Sequence, residues 1–269
     1  MLSLPRDPVQ TGQQTKVVNC VGGVLSPLLS NIVLHELDEE LERRGHRFVR
    51  YADDCNIYVR SERAGLRVMA SVRSFIERRL RLKVNTSKSA VARPEERHFV
   101  GFRLKREPMH GGVQVLLSKR TQERFGDKLR ELTRRAFGNS MDKCIERLNS
   151  YLRGWLGHFR ICTSKVESLF RDMDSHIRRR MRAIQLKHWK RRRTIVRKLI
   201  AHGIRPQTAW SAIYAGRTRT WRLSHLPVVD LALRNSYWEK RGLISLQKEW
   251  RKYRRSIAAP AQRSFAGIT

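Results

Sequence analysis

Arg47 to Arg60 reads RFVRYADDCNIYVR, two short runs of aromatic and β-branched residues that meet at Ala52, Asp53 and Asp54. Alternating apolar residues on either side of a polar turn predict a β-hairpin, which sets the two carboxylates side by side at its tip. Neighbouring carboxylates repel one another, so the arrangement calls for a cation, most simply a divalent metal shared with a substrate. Aspartate is also a favoured turn residue, and an isolated Asp-Asp pair is most often a solvated turn. The flanking sequence decides between the two.

Upstream, Ser26-Pro27 is a helix start, with Ser26 as N-cap and proline in the first turn, and Gly45 is a helix stop. Leu29, Val33, Leu37 and Leu41 recur at four-residue spacing with Leu28 and Ile32 beside them, so they are expected to face a core. Downstream, Ser61 can cap a helix reaching about Arg81, with Val68, Val72, Phe75, Ile76 and Leu80 on one face. The stretch LKVNTSKSAV then places Asn85 and Lys88 in a turn. RHFVGFRL and VQVLLS, joined through Met109 to Gly112, predict a second hairpin with Gly101 inside a strand.

From Ser118 the apolar period becomes helical. Phe125, Leu129 and Leu132 mark one helix, and Met141, Ile145, Leu148, Leu152, Trp155 and Phe159 a second. Ser164-Lys165-Val166-Glu167 has the form of a capping box opening a third, with Phe170, Met173, Ile177, Met181 and Ile184 inward. Short links predict an antiparallel three-helix bundle.

Tyr51-Ala52-Asp53-Asp54 between apolar runs, preceded by GGVLSPLLSNIVLHELDEELERRG and followed by a helix and NTSKS, resembles the palm of the reverse transcriptases encoded by group II introns. The helical part is similar to the maturase-specific thumb of the same family, through LNSYLRGWLGHFR, DSHIRRRMRAIQLKHWKRRRT, TWRLSHLP and LALRNSYWEKRGLISL. The likeness runs from about Gly22 to Leu246. It implies an α+β fold: a leader over residues 1–18, a partial palm over 19–117, a thumb and maturase helical domain over 118–246, and a basic tail over 247–269.

By that resemblance Asp53 and Asp54 are catalytic ligands of a two-metal magnesium site, in which one ion activates a primer hydroxyl and the other neutralises departing pyrophosphate. Gly22, Gly23, Ser26, Pro27, Tyr51, Ala52 and Lys88 would lie near nucleotide and template, and Phe99, Val100, Gly101 and Phe102 would form the primer grip. The partners implied are group II intron RNA, an RNA template, a DNA primer and deoxynucleoside triphosphates. Two departures stand out. The family pattern Gly-Thr-Pro-Gln-Gly-Gly is replaced by Val18-Asn19-Cys20-Val21-Gly22-Gly23. The family's first catalytic aspartate has no counterpart in an apolar strand here, since Asp7 lies in a proline-containing leader. The expectation is therefore an incomplete magnesium site and no polymerase activity from this chain alone, leaving a non-enzymatic RNA-binding maturase remnant, or a truncated product without function, as alternatives.

Charge carries the partner argument independently. The 269 residues hold 57 Lys and Arg against 24 Asp and Glu, a formal net charge of +33, and a surface that cationic is built for a polyanion. No Asp or Glu occurs between Asp174 and Asp230. Arg178, Arg179, Arg180, Arg182, Lys187, Lys190, Arg191, Arg192, Arg193, Arg197 and Lys198 crowd that interval and are the expected RNA-binding set, with Trp189, His188 and Trp210 as possible stacking partners. No apolar run approaches the length of a membrane span, and Met1 to Lys16 lacks the apolar centre of a signal peptide, so a cytoplasmic protein associated with RNA rather than membrane is expected. Cys20, Cys55, Cys144 and Cys162 form no Cys-x-x-Cys pair and read as small, reduced core residues.

Overall fold

The computed structural model describes residues 25–107, 112–134, 140–215 and 219–258. The chain divides into two compact units, Met1–Lys105 and Arg106–Thr269. It is of the mixed α+β class.

The first unit contains α1 (Ser26–Arg43), β1 (Arg47–Tyr51), β2 (Asp54–Tyr58), α2 (Glu62–Arg78) and most of β3 (Phe102–Arg106). β1 and β2 pair antiparallel in the register Arg47↔Tyr58 to Tyr51↔Asp54, so the hairpin loop is only Ala52 and Asp53. Gly45 takes a positive φ of 68° and ends α1. The amide of His46 donates to Leu41 O at 3.0 Å and that of Gly45 to Glu42 O at 2.8 Å, the paired bonds of a Schellman stop. Ser61 caps α2 by accepting from the Ala64 amide at 3.2 Å, as its position predicts. The core joins Leu34, Leu37 and Leu41 of α1, Cys55 of β2, Val72 and Ile76 of α2, and Val84, with Phe48, Ile57, Val68, Phe75 and Leu80 packed around them.

Three expectations for this unit change. Ser26 is the first residue of α1 rather than its N-cap, a place that Leu25 takes. In α1 only the C-terminal half of the stripe is covered. Leu37 and Leu41 are buried together with Leu34, whereas Leu28, Leu29, Ile32 and Val33 are exposed, because the hairpin and α2 reach only the later turns. RHFVGFRL is not one strand. Phe99 and Phe102 exchange backbone bonds of 2.9 Å in both directions, and Val100 (φ 50°) and Gly101 (φ 86°) form a two-residue turn between them. Positive φ at both central positions is the signature of the primed hairpin turn, which Gly101 accommodates and a β-branched valine does not.

The first full element of the second unit is β4 (Val113–Leu117). Helices follow: α3 (Lys119–Leu132), α4 (Met141–Phe159), a 3-10 turn (Ser164–Val166), α5 (Glu167–His188), α6 (Arg192–Ala201), α7 (Pro206–Tyr214), α8 (Thr220–Leu223), α9 (Pro227–Ala232), α10 (Asn235–Lys240) and α11 (Leu246–Ala258). Ser118 and Ser140 cap α3 and α4 through the amides of Thr121 and Lys143. Phe170, Met173, Ile177, Met181 and Ile184 of α5 are all buried, on the face their spacing predicts.

The capping box at Ser164 predicts Glu167 in the third position of α5, but the helix begins two residues later, with Val166 at its N-cap. Glu167 is the first residue of the helix, and its carboxylate turns to α11, accepting from Gln247 Nε2 at 3.1 Å and Arg251 Nε at 2.6 Å. α11, which begins at the last residue of the expected helical domain, is a packed element against α4 and α5 with Leu246 and Trp250 buried. Two buried polar side chains hold it there. Asp174 of α5 accepts from the amides of Leu246 (2.8 Å) and Gln247 (3.1 Å) and from Ser245 Oγ (2.6 Å), capping α11 from another helix. Asn149 of α4 donates to Gly242 O at 2.7 Å and accepts from the Ile244 amide at 3.1 Å. The three-helix bundle of the sequence reading is thus one part of a larger helical unit centred on α5.

Candidate nucleic-acid interface

The hairpin tip is built by a network that the sequence reading did not anticipate. Arg50 of β1 donates to both carboxylate oxygens of Asp38 on α1, at 2.8 Å from Nε and 2.5 Å from Nη2. Its Nη1 donates to Asn31 Oδ1 and to the carbonyl of Ala52, each at 2.9 Å. One guanidinium therefore ties two turns of α1 to the loop that carries Asp53. The sequence held a signal for it: Arg50 shares the inward face of β1 with Phe48, an unusual place for a charge unless it is paired.

Ala52 has a φ of 52°, a conformation that glycine prefers. Asp53 is the second loop residue and Asp54 the first residue of β2. Both aspartates are half-buried, and Tyr51 and Ala52 are exposed beside them. Hard carboxylate oxygens on a rigid turn suit a divalent cation such as Mg²⁺. Among the described residues no group of three or more His, Cys, Asp or Glu is placed to hold a metal. Behind it, burial pushes the Cys55 thiol up to about 11, which keeps it a neutral core group.

Ser26 and Pro27 open α1. Lys88 is exposed in a turn organised by Asn85, whose Oδ1 accepts from the Lys88 amide at 3.2 Å and from Ser87 Oγ at 2.7 Å. Phe99, Val100, Gly101 and Phe102 form the tight turn described above. Gly22 and Gly23, with Cys20 and Asp7, lie outside the described residues.

In the second unit, the cations expected to bind RNA differ in exposure. Lys187, Lys190, Arg191, Arg193, Arg197 and Lys198 are exposed, at the end of α5 and along α6. Arg178, Arg179, Arg180 and Arg192 are half-buried. Arg179 lies over the Trp221 ring at 4.2 Å. Arg180 donates to Thr133 O at 3.1 Å and to the Thr133 hydroxyl, holding the end of α3. Arg182 is 5% exposed; it pairs with Asp230 at 2.6 Å and so belongs to the fold rather than to the exposed cationic surface. His176 and His202 are pushed down by burial, and further by Arg180 and Arg179 and by Lys198 respectively.

The joint between α5 and α6 concentrates this charge. Lys190 adopts a φ of 58°, reversing the chain between Trp189 and Arg191, and α6 opens with Arg191, Arg192 and Arg193 in succession. Consecutive cations at a helix start oppose the helix dipole, an arrangement that an anion would relieve. Among the described residues no helix is long and apolar enough to cross a membrane.

A hairpin carrying adjacent carboxylates and backed by helices, and an arginine-rich helical unit, are joined in one chain. Residues 6–104 match the family model described as reverse transcriptase (RNA-dependent DNA polymerase). Residues 122–200 match that of the group II intron, maturase-specific domain. The chain belongs to the group II intron reverse transcriptases/maturases, whose reverse-transcriptase part is of a nucleotidyltransferase type that works with divalent metal ions. A comparison with curated proteins finds no match.

Proposed function

We propose that this chain binds structured group II intron RNA through the exposed cationic surface of α5 and α6 and assists its splicing. The observation that carries this reading is the segregation of charge: six exposed cations, Lys187, Lys190, Arg191, Arg193, Arg197 and Lys198, in an interval without a single acidic residue. An ordinary wet helix surface mixes both signs, and an unneutralised one repels itself. Arginine adds paired donors that match phosphate oxygens.

The test is salt-dependent binding of intron RNA. Each phosphate contact contributes about 0.7 to 0.9 to the slope of log K against log salt, so replacing Arg191, Arg193 and Lys198 by Ala is expected to lower that slope by about 2. An unchanged slope would put the RNA elsewhere. The same experiment with Asp53→Ala is expected to show wild-type binding.

The hairpin supports a second, catalytic reading, by way of the two half-buried carboxylates. Asp53 and Asp54 would hold Mg²⁺, with Tyr51, Ala52 and Lys88 facing nucleotide and template and Phe99 to Phe102 steadying a primer. Magnesium bound there would supply Lewis-acid activation of a primer hydroxyl and neutralise the charge of departing pyrophosphate. Arg50 ties the loop that carries Asp53 to α1 through Asp38, Asn31 and the Ala52 carbonyl. Two carboxylates are fewer donors than a two-metal centre takes, so synthesis by this chain alone is not part of the proposal. Primer extension with purified protein and Mg²⁺ decides the point: synthesis that disappears in Asp53→Ala would replace the binding reading with the enzymatic one.

A further inference from the structure

α7 presents an aromatic pair that adds to the RNA surface proposed above: Trp210, an expected stacking partner, and Tyr214. Trp210 and Tyr214, one helical turn apart, stack with ring centroids 5.1 Å apart and planes inclined by 27°. They are 44% and 43% exposed. The other five tryptophans are covered: Trp238 and Trp250 are buried, Trp155 is wedged among Phe125, Phe159 and Phe170, Trp221 lies under Arg179, and Trp189 is half-buried near His202. The Arg192 guanidinium lies 5.7 Å from the centre of the Tyr214 ring. The antiparallel packing of α6 and α7 thus brings the aromatic pair to the end of α6 that carries Arg191, Arg192 and Arg193. The pair also lies beyond residues 122–200, which match the maturase-specific domain.

We infer that Trp210 and Tyr214 are a stacking platform for an unpaired nucleotide of RNA, whose phosphates are taken by Arg191, Arg192 and Arg193. A helical aromatic pair at this spacing also steadies its own helix, but that role does not require two large rings left open to water. The surrounding interval has no acidic residue, so an occupant has to bring negative charge together with a flat apolar face. Unpaired nucleotides bring both; within a duplex the base faces are already stacked on one another and only the phosphates are offered.

This inference rests on the RNA-binding reading above, and the two can fail separately. Trp210→Leu keeps an apolar side chain on α7, and its folding is checked by thermal melting. With the full chain and a labelled single-stranded oligouridylate, Trp210→Leu is expected to weaken binding by about 5- to 100-fold, the range for loss of one base–aromatic stack. Its affinity for an RNA duplex of the same length should not change, nor should the salt slope on either probe. Arg191→Ala with Arg193→Ala is expected to weaken both probes and lower both slopes. Wild-type affinity of Trp210→Leu for the single strand, alongside a weakened arginine variant, would overturn the platform and leave the RNA surface standing. Wild-type binding by both variants would overturn both. An equal loss on single strand and duplex, or release of an acidic protein partner by Trp210→Leu, would also overturn the platform.

Discussion

Arg50 on β1 grips Asp38 on α1 through two nitrogens, at 2.8 Å and 2.5 Å, and with its remaining nitrogen holds the carbonyl of Ala52 at 2.9 Å. The side chains are 14% and 21% exposed, so water weakens the pair less than it would at an open surface. The loop that presents Asp53 therefore has its position set from the helix, not only from strand pairing. Removing either partner leaves the other charge largely buried. Arg50→Ala and Asp38→Ala are each expected to cost about 2 to 3 kcal/mol in urea unfolding, and the double variant about the same as either alone. Additive losses would show that the two do not act as a unit.

Val100 occupies a φ of 50° in a two-residue turn whose other member is Gly101. Asparagine tolerates that conformation, and Asn-Gly is the favoured pair for such turns. Val100→Asn is expected to raise stability by about 1 kcal/mol, read as a higher urea midpoint with an unchanged slope. A lower midpoint would mean that packing of the half-buried valine outweighs its backbone strain.

Arg182 and Arg191 differ in one respect that a binding assay can separate. Arg182 is 5% exposed and faces Asp230, whereas Arg191 is open to solvent at the start of α6. Arg182→Ala is expected to lose about 2 to 4 kcal/mol of stability, because it leaves a cavity and removes the partner of Asp230. The salt slope of RNA binding should stay at the wild-type value below the melting transition. A reduced slope would place Arg182 against phosphate after all.

Glu40 lies between Arg43 and Arg44, and their hydrogen bonds and charge hold its carboxyl down at about 2. A depressed carboxyl stabilises the fold above its unfolded value and loses that contribution as pH falls through the folded one. The stability difference between wild type and Glu40→Gln is expected to be constant from pH 7 to about pH 4.5 and to disappear between there and about pH 2. A difference that shrinks already above pH 5 would contradict the assignment.

Most of the palm hairpin was legible because its signals are local. Alternation fixes which residues of β1 and β2 share a face, Ser61 and Gly45 punctuate the helices, and each can be read from a handful of neighbours. The turn at Val100 was not legible, since valine in that conformation runs against its own preference and is held there by the bond pair between Phe99 and Phe102. The cap of α11 escaped for another reason: Asp174 lies far away along the chain and reaches the amides of Leu246 and Gln247 only once α5 and α11 have packed.

What the amino-acid order determined by itself is the class of fold, the pair of carboxylates at a turn and the acid-free run of cations, since periodicity, turn chemistry and net charge need no long-range contact. Tertiary packing alone decided that Leu37 is covered while Leu29 is not, that Arg182 turns inward while Arg191 stays in water, and that Trp210 is left open. Burial of a given side chain is set by which distant surface arrives against it, and a one-dimensional pattern records that a face is apolar or charged without recording what it meets.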